Sequence, residues 1–284
     1  MDDRKAPSAA PRDPVALGID PDIPSVARIY DYYLGGKENF PCDRAKAEEM
    51  IRLVPEAPVA ARNNRAFLGR VVHTLATEGV RQFIDIGAGL PTQENVHQIA
   101  RRVDPAVRTV YVDFDPAVLV HARALLTAED EAIVVEGDAR HPAGIFENPE
   151  LRAYIDLKRP VAVLLVALTH FLSDEQADAL VGYVRRAVPS GSYLVVTQLF
   201  PGDDPPEYVE EAAAIYSGTN TGAVVGRGRA HIASWFEGMK VLEPGIVRVE
   251  SWRPRSRVDD PAWRMDTEID EGAPGILGAV GRIP

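Results

Sequence analysis

The sequence predicts an α/β protein in which a mostly parallel β-sheet follows a group of N-terminal helices. From residue 80 to residue 199, short apolar runs typical of strands alternate with segments of helical periodicity. This order favours parallel strands joined by right-handed crossovers. The run from Val161 to Leu168 is apolar throughout, as expected for a strand that is covered by helices on both faces.

The composition is that of an ordinary globular protein. Of the 284 residues, 46% are hydrophobic and 26% are charged, and the net charge is -11. The acidic balance argues against a general nucleic-acid binder, which needs a basic face. Cys42 is the only cysteine, so an intrachain disulfide is excluded and a reducing compartment is favoured. The start of the chain, Met1 to Pro14, lacks the apolar core of a signal peptide. The longest apolar run, Val161 to Leu168, is far too short to span a bilayer, and we expect a cytoplasmic protein without membrane contact.

The N-terminal part is expected to be a disordered tail followed by helices. Residues 1–18 are polar and rich in Pro and Ala, which predicts disorder. Ser25 is a candidate N-cap, and Gly35-Gly36 ends the first helix. The predicted helices of this region cover residues 25–34, 43–55 and 58–79.

The alternating region resolves into five strands and the helices between them. The predicted strands cover 80–86, 109–112, 132–136, 161–168 and 191–199. The predicted helices cover 91–102, 116–126, 149–157 and 174–188. Beyond residue 200 we expect a loop over 201–206 and helices over 206–217 and 229–237. Strand pieces over 240–243 and 246–250, a surface loop over 253–274 and a last strand over 276–283 follow.

Glycines and acidic residues collect where the predicted strands end. In an open parallel sheet, ligands bind outside these carboxyl ends. The residues at the strand ends are Asp85, Gly87, Gly89, Asp113, Asp115, Asp138, Ala167, Leu168, Thr169 and His170.

Each part of this set has its own physical meaning. Gly87 and Gly89 let the backbone turn and approach a ligand closely. A helix that starts after Pro91 would direct free N–H groups to the same place. Asp113 could accept two hydrogen bonds from a ribose diol, and Asp138 could accept one from an adenine amine. Together they describe a site for an adenosine-bearing ligand. Asp115 is interpreted as the N-cap of the helix that follows it.

Two cofactor classes use this plan. The dinucleotide fingerprint Gly-x-Gly-x-x-Gly needs a third glycine, but Thr92 stands at that position. The acids at 85 and 113 and the Gly137-Asp138 pair instead resemble the motifs of class I S-adenosylmethionine-dependent methyltransferases. That resemblance implies a Rossmann-like sheet of seven strands with an antiparallel last strand, for which 276–283 is the candidate.

The similarity extends into the helical leader. The stretches that carry it are 25–40, 62–68, 89–92, 95–97 and 111–113. They resemble an actinobacterial family of S-adenosylmethionine methyltransferases of unassigned substrate, over about residues 24 to 284. The resemblance implies a helical cap over 19–79, a methyltransferase domain over 80–284 and an acceptor-side insertion near 201–237.

The candidate cofactor residues combine the strand ends with the leader. Lys37 and Arg65 are candidates for the methionine carboxylate, Phe114 for stacking on the adenine, and Asp138 with Ala139 for its edge. The full set is Tyr33, Gly36, Lys37, Asn39, Arg65, Asp85, Gly87, Ala88, Gly89, Asp113, Phe114, Asp138, Ala139, Ala167 and Leu168.

The chemistry beyond the cofactor is less defined. His170 is a candidate base or substrate-orienting group, with a structural histidine as the alternative. The other histidines lack metal-ligand spacing, and we expect no metal. Five arginines are expected to form a solvated face, namely Arg227, Arg229, Arg253, Arg255 and Arg257.

Three functions stay open from the sequence. The first is methyl transfer to a small-molecule acceptor, without nucleic acid, in an undefined oligomeric state. The second is a non-catalytic sensor or partner module that binds S-adenosylmethionine. The third is an NAD(P)-linked dehydrogenase.

Overall fold

A computed structural model of the chain describes residues 17–91, 94–126, 132–203, 205, 207–222, 224–253 and 270–284. Most of the predicted tail, Thr92 and most of the predicted loop 253–274 lie outside these residues. Among the described residues, no helix combines the length and apolar character that crossing a membrane requires.

The chain begins with helices and continues as an alternating α/β unit. The helices are α1 (Val26–Tyr33), α2 (Pro41–Leu53), α3 (Ala57–Thr77), α4 (Val96–Val103), α5 (Pro116–Leu126), α6 (Pro142–Glu147), α7 (Pro149–Tyr154), α8 (Asp174–Ala187), α9 (Tyr208–Ile215) and α10 (Arg229–Ser234). The strands are β1 (Gln82–Ile86), β2 (Arg108–Asp113), β3 (Ala132–Glu136), β4 (Ala162–Leu165), β5 (Tyr193–Phe200), β6 (Lys240–Val241), β7 (Val247–Arg248) and β8 (Gly275–Arg282).

The strands form one mixed sheet in the order β3-β2-β1-β4-β5-β8-β6, with β7 also paired to β8. β1 to β5 are parallel, and β8 runs antiparallel to β5 with Val195 opposite Val280. The mostly parallel sheet and the antiparallel last strand are therefore confirmed. The described sheet has eight strands rather than seven, because the two short pieces β6 and β7 each pair with β8.

The sheet is covered on both faces. One core contains side chains of α6, α7 and α8, and the other contains side chains of α3, α4 and α5. α1 and α2 form a smaller third core that also includes Ile215 of α9. α3 links the two units, because Ala61 belongs to the small core whereas Phe67 and Val71 pack against the sheet.

Two predicted boundaries are displaced by several residues and one helix was not predicted, each for a local reason. The helix expected from residue 91 begins at Val96, where the Asn95 backbone N–H donates to the Gln98 side chain at 2.9 Å. The strand expected to reach residue 168 ends at Leu165, because Ala167 takes a positive φ of 55° and a 3₁₀ turn follows. α6 was not predicted, since six residues are too few to show helical periodicity.

The strand order reverses between β1 and β4. A crevice opens at such a point, outside the carboxyl ends of the strands. The glycine turn after β1 and the acid that ends β2 lie at this edge. The fold therefore brings together the parts that the sequence separates by more than twenty residues.

Candidate functional site

A cavity of about 990 Å³ lies at this edge of the sheet. Its walls come from the glycine turn after β1, from β2, from α4 and α5, and from the loop after α1. Seven of the predicted cofactor residues line it, namely Gly36, Lys37, Arg65, Asp85, Ala88, Gly89 and Asp113. The volume is within the usual range for a cofactor or small-molecule site.

The two glycines of the turn have different surroundings. Gly87 has φ 73°, and a Cβ there would lie 2.7 Å from Cδ1 of Leu168. Gly89 has φ 67°, but a Cβ there would meet nothing within 4 Å. Gly87 is thus required for packing, so a side chain at 87 would strain the fold itself. Gly89 presents bare backbone to the cavity.

Asp113 ties the glycine turn to the second strand. Its Oδ2 accepts the N–H of Gly89 at 2.9 Å, and its Oδ1 accepts the N–H of Asp115 at 2.9 Å. The side chain is buried, and burial raises the pKa of Asp113 to about 6 in spite of these backbone donors. The carboxylate keeps lone pairs for a ligand, because each oxygen can accept more than one hydrogen bond.

Asp85 is the second buried acid of the cavity. Burial raises the pKa of its carboxyl group to about 7, with the negative charge of Asp113 acting in the same direction and Arg65 opposing it. An acid in this state is costly to ionise without a cation nearby. The cavity is therefore electrostatically suited to a ligand that carries positive charge.

The opposite wall contains the predicted Arg65 together with His97 and Tyr111, which were not among the predicted cofactor residues. The backbone N–H of His97 donates to the hydroxyl oxygen of Tyr111 at 3.0 Å, and His97 Nδ1 lies 2.7 Å from the same oxygen. Both residues are buried and line the cavity. Arg65 donates to the carbonyl of Glu94 at 3.1 Å and to Oδ1 of Asn95 at 3.3 Å, which anchors the end of the turn.

The loop after α1 closes the cavity from the leader side. Asp31 is buried, and its Oδ2 accepts the N–H of Glu38 at 2.9 Å and the side-chain amide of Asn39 at 2.8 Å. A Cβ on Gly36 would lie 1.9 Å from Oδ1 of Asp31. Gly36 is therefore needed for this close approach, and Asn39 acts here as part of the loop scaffold.

Eight predicted residues are not among those that line the cavity. They are Tyr33, Asn39, Gly87, Phe114, Asp138, Ala139, Ala167 and Leu168. The Tyr33 hydroxyl lies 3.2 Å from that of Tyr216. Asp138 accepts from Arg140 Nε at 2.9 Å through both oxygens, and the Arg140 guanidinium lies 5.4 Å from the Phe114 ring centroid. Arg140 thus occupies the two groups that were predicted to hold the adenine.

His170 does not line the cavity either. It is buried, and its Nδ1 has no hydrogen-bond partner among the described residues. Burial and the nearby Arg227 guanidinium lower its pKa to about 3. The imidazole is therefore neutral at physiological pH.

Residues beyond β5 cover the carboxyl ends of β4 and β5. The N–H of Val225 donates to the His170 carbonyl at 2.7 Å, and Nε2 of Gln198 donates to the Val225 carbonyl at 2.7 Å. Arg227, expected on a solvated face, has a side chain only 1% exposed. It donates to Thr169, Leu172, Asp174 and Gln198.

Comparison with known proteins agrees with this geometry. A family model described as S-adenosyl methyltransferase matches residues 13–284. A crystal structure of a candidate methyltransferase from Thermobifida fusca is 37% identical, with a TM-score of 0.85, over 96% of this chain and 99% of that one. A DUF574 family protein from Streptomyces avermitilis is 40% identical, with a TM-score of 0.84, over 93% and 99%. No curated protein matches the sequence.

The family match spans nearly the whole chain, including the helical leader and the last strand. It agrees with the resemblance carried by the leader, the glycine turn and Asp113. The absence of the third glycine, which leaves the dinucleotide fingerprint incomplete, is consistent with this family. The chain belongs to the S-adenosyl methyltransferase family, whose members use S-adenosylmethionine.

Proposed function

We propose that this enzyme transfers the methyl group of S-adenosylmethionine to a small-molecule acceptor, and that the cavity at the switch point holds the cofactor. The observation that carries the proposal is the bond between the buried Asp113 and the N–H of Gly89. It makes the ribose acid and the glycine turn one rigid unit that faces a single cavity.

The residues that line the cavity suit different parts of the cofactor. Asp113 would accept from the ribose hydroxyls, and the turn with Gly89 would pass beside the methionine portion. Asp85 would face the positive charge of that portion, whereas Lys37 and Arg65 would pair with its carboxylate. The cavity therefore offers an acceptor for the ribose, a negative charge for the cationic part of the cofactor and positive charges for its carboxylate, which supports the fit of the cofactor to this chain.

The proposed adenine contacts require that the side chain of Arg140 moves away first. Phe114, Asp138 and Ala139 remain our candidates for the adenine face and edge. In the structure Arg140 pairs with Asp138 and lies over Phe114. The side chain of Arg140 is 42% exposed, so it can rotate into solvent at little cost and release both groups.

The catalytic demands on the protein are modest. When bound, S-adenosylmethionine supplies a methyl group on a sulfonium that is already activated toward nucleophiles. The chain has to align the acceptor and exclude water. The loop of Gly36 and Lys37 helps to exclude water, because it closes the cavity on the leader side. A general base is needed only if the acceptor arrives protonated. His170 would have to be uncovered first, since it is buried and its pKa is low.

A small acceptor fits the charge of the chain. The net charge of -11 and the acids of the cavity disfavour a nucleic-acid substrate. We assign 19–79 to a cap and 201–237 to the acceptor side, because Val225 and Arg227 cover the ends of β4 and β5.

The test is binding followed by turnover. We expect S-adenosylmethionine and S-adenosylhomocysteine to stabilise the protein in calorimetry and thermal unfolding, and NADH to have no effect. Release of S-adenosylhomocysteine across a panel of small amines, phenols and carboxylic acids then identifies the acceptor class. Stabilisation by NADH alone would contradict the proposed site. Turnover only with an RNA or protein substrate would contradict the small acceptor.

Cofactor affinity is expected to rise with pH. The pKa values of Asp85 and Asp113 are about 7 and about 6, so both groups are largely protonated at pH 5.5. A cationic ligand favours the ionised forms, and binding should release protons. We expect the Kd to fall about tenfold between pH 6 and pH 8. Titration calorimetry in buffers of different ionisation enthalpy measures both quantities.

Without added cofactor, the free energy of unfolding should fall as the pH rises. Both folded pKa values lie above the ordinary value of 3.8. The resulting stabilisation is complete below that value and is lost as the pH rises through 6 to 7. The cofactor should therefore stabilise the protein more at pH 8 than at pH 5.5. Asp85→Asn should flatten this pH dependence. If the Kd of the unsubstituted protein does not change with pH, the cationic groups of the cofactor bind away from Asp85 and Asp113.

A further inference from the structure

Asp115 lies two residues beyond Asp113 and makes more contacts than a helix cap requires. Its Oδ1 accepts the N–H of Ala117 at 2.8 Å, which caps α5. Its Oδ2 accepts the hydroxyl of Ser25 at 2.5 Å and the side-chain amide of Asn220 at 3.0 Å. Asp115 is 5% exposed and does not line the cavity. One buried carboxylate thus joins two distant segments to the start of α5.

The two partners of Oδ2 also bind each other's segments. Oδ1 of Asn220 accepts the N–H of Val26 at 3.1 Å, and the N–H of Asn220 donates to the Pro24 carbonyl at 2.9 Å. The N–H of Ser25 donates to Oδ1 of Asp43 at 2.8 Å. The start of α1 is therefore fixed from α2, from the segment of Asn220 and from Asp115.

This cluster is connected to the cavity in two ways. Along the chain, α1 leads directly into the loop of Gly36 and Lys37 that lines the cavity. Through hydrogen bonds, the N–H of Asp115 donates to Asp113, which in turn accepts from Gly89. The side chain of Asp115 thus contacts the leader, and its backbone N–H contacts the ribose acid.

We propose that Asp115 is a positioning residue that holds the leader closed over the cofactor cavity by tying it to the segment of Asn220. This role rests on the proposed location of the cofactor. A helix cap needs only Oδ1, whereas the position of the leader depends on Oδ2. Loss of the Oδ2 contacts should loosen α1 and its loop and weaken cofactor binding, although Asp115 does not touch the cofactor.

The pair of Asp115 and Asn220 allows a test by exchange. In Asp115→Asn, an amide can face the amide of Asn220. In Asn220→Asp, two carboxylates face each other. The double exchange restores a donor opposite an acceptor, keeps one negative charge and leaves acceptors for the N–H groups of Val26 and Ala117. The Ser25 hydroxyl, which donates to Asp115, can instead accept from the new amide at position 115. We expect each single variant to bind S-adenosylmethionine about tenfold more weakly and the double variant to recover most of the affinity.

Hydrogen exchange of the cofactor-free protein provides the second readout. Amides over 26–38 should exchange faster in each single variant and return toward the original rate in the double variant. Ser173→Ala is the matched control, because it removes the N-cap of α8 and should accelerate exchange only in that helix.

The outcomes separate this inference from the proposed cofactor site. Unchanged exchange over 26–38 and unchanged affinity in Asp115→Asn would reduce Asp115 to a helix cap. Failure of the double variant to recover either quantity would also overturn the role. If Asp113→Ala leaves the affinity unchanged, the cofactor site is misplaced, and the exchange data still decide whether Asp115 holds the leader.

Discussion

Replacement of Arg227 by methionine is expected to lower the free energy of unfolding by about 3–5 kcal/mol, because several buried acceptors lose a charged donor and each unsatisfied acceptor costs about 1–3 kcal/mol. The guanidinium donates to the carbonyls of Thr169 and Leu172 at 2.8 Å each. It also donates to Oε1 of Gln198 at 3.0 Å. Thr169, Leu172 and Gln198 are buried, so the apolar replacement leaves their oxygens without this donor in a site that water does not reach.

The loss should be measurable in two ways. Denaturant titration reports the change in free energy directly. For a chain of this size the melting temperature should fall by about 2–4 °C for each kcal/mol. Arg186→Met is the control, because Arg186 is an exposed arginine of α8 and should change stability by less than about 0.5 kcal/mol. A loss below about 1 kcal/mol in Arg227→Met would mean that water or a neighbouring group replaces the guanidinium.

The burial of Arg227 could not be predicted from its local sequence. Its neighbours in the chain include Gly226, Gly228 and a second arginine, Arg229, and a glycine-rich basic stretch of this kind is typical of a solvated face. The partners that stabilise it, such as Gln198, lie 29 positions or more away. Only the packing of the segment against the ends of β4 and β5 brings them together.

The central part of the fold was predictable because its signals are local. Apolar strands that alternate with amphipathic helices indicate the parallel sheet, and the Gly-x-Gly turn between an apolar strand and Asp113 indicates the ligand edge. The start of α4 could also have been predicted from the sequence. The pattern of Asn95 followed three residues later by Gln98 is that of a capping box.

The pairs that shape the site depend on tertiary contacts. The contact between His97 and Tyr111 exists only because α4 packs on β2. Tyr33 was predicted near the ligand because a Gly-Gly loop follows it, but its apolar helix face turns it toward Tyr216, 183 positions away. A signal for the pairing of Asp138 was available in the sequence, since Arg140 stands two residues later.

Removal of the Asp113 side chain by Asp113→Ala is expected to weaken S-adenosylmethionine binding by about 1.5–3 kcal/mol, or about 10- to 150-fold. Two effects act together. The ribose loses its charged acceptor, and the N–H groups of Gly89 and Asp115 lose theirs, so the turn also loses its anchor. Calorimetric titration with S-adenosylmethionine measures the combined loss.

Two further variants separate these effects and control for general damage. Asp113→Asn keeps one acceptor for the backbone but places a donor at the other oxygen, so its loss should be smaller than that of the alanine variant. Asp156→Ala removes an acid that also accepts a backbone N–H, from Lys158 at 3.0 Å, but near the start of β4 at the opposite edge of the sheet. Its affinity should stay unchanged. Equal affinity in Asp113→Ala and Asp156→Ala would place the ribose away from β2, and the glycine turn would then need another ligand.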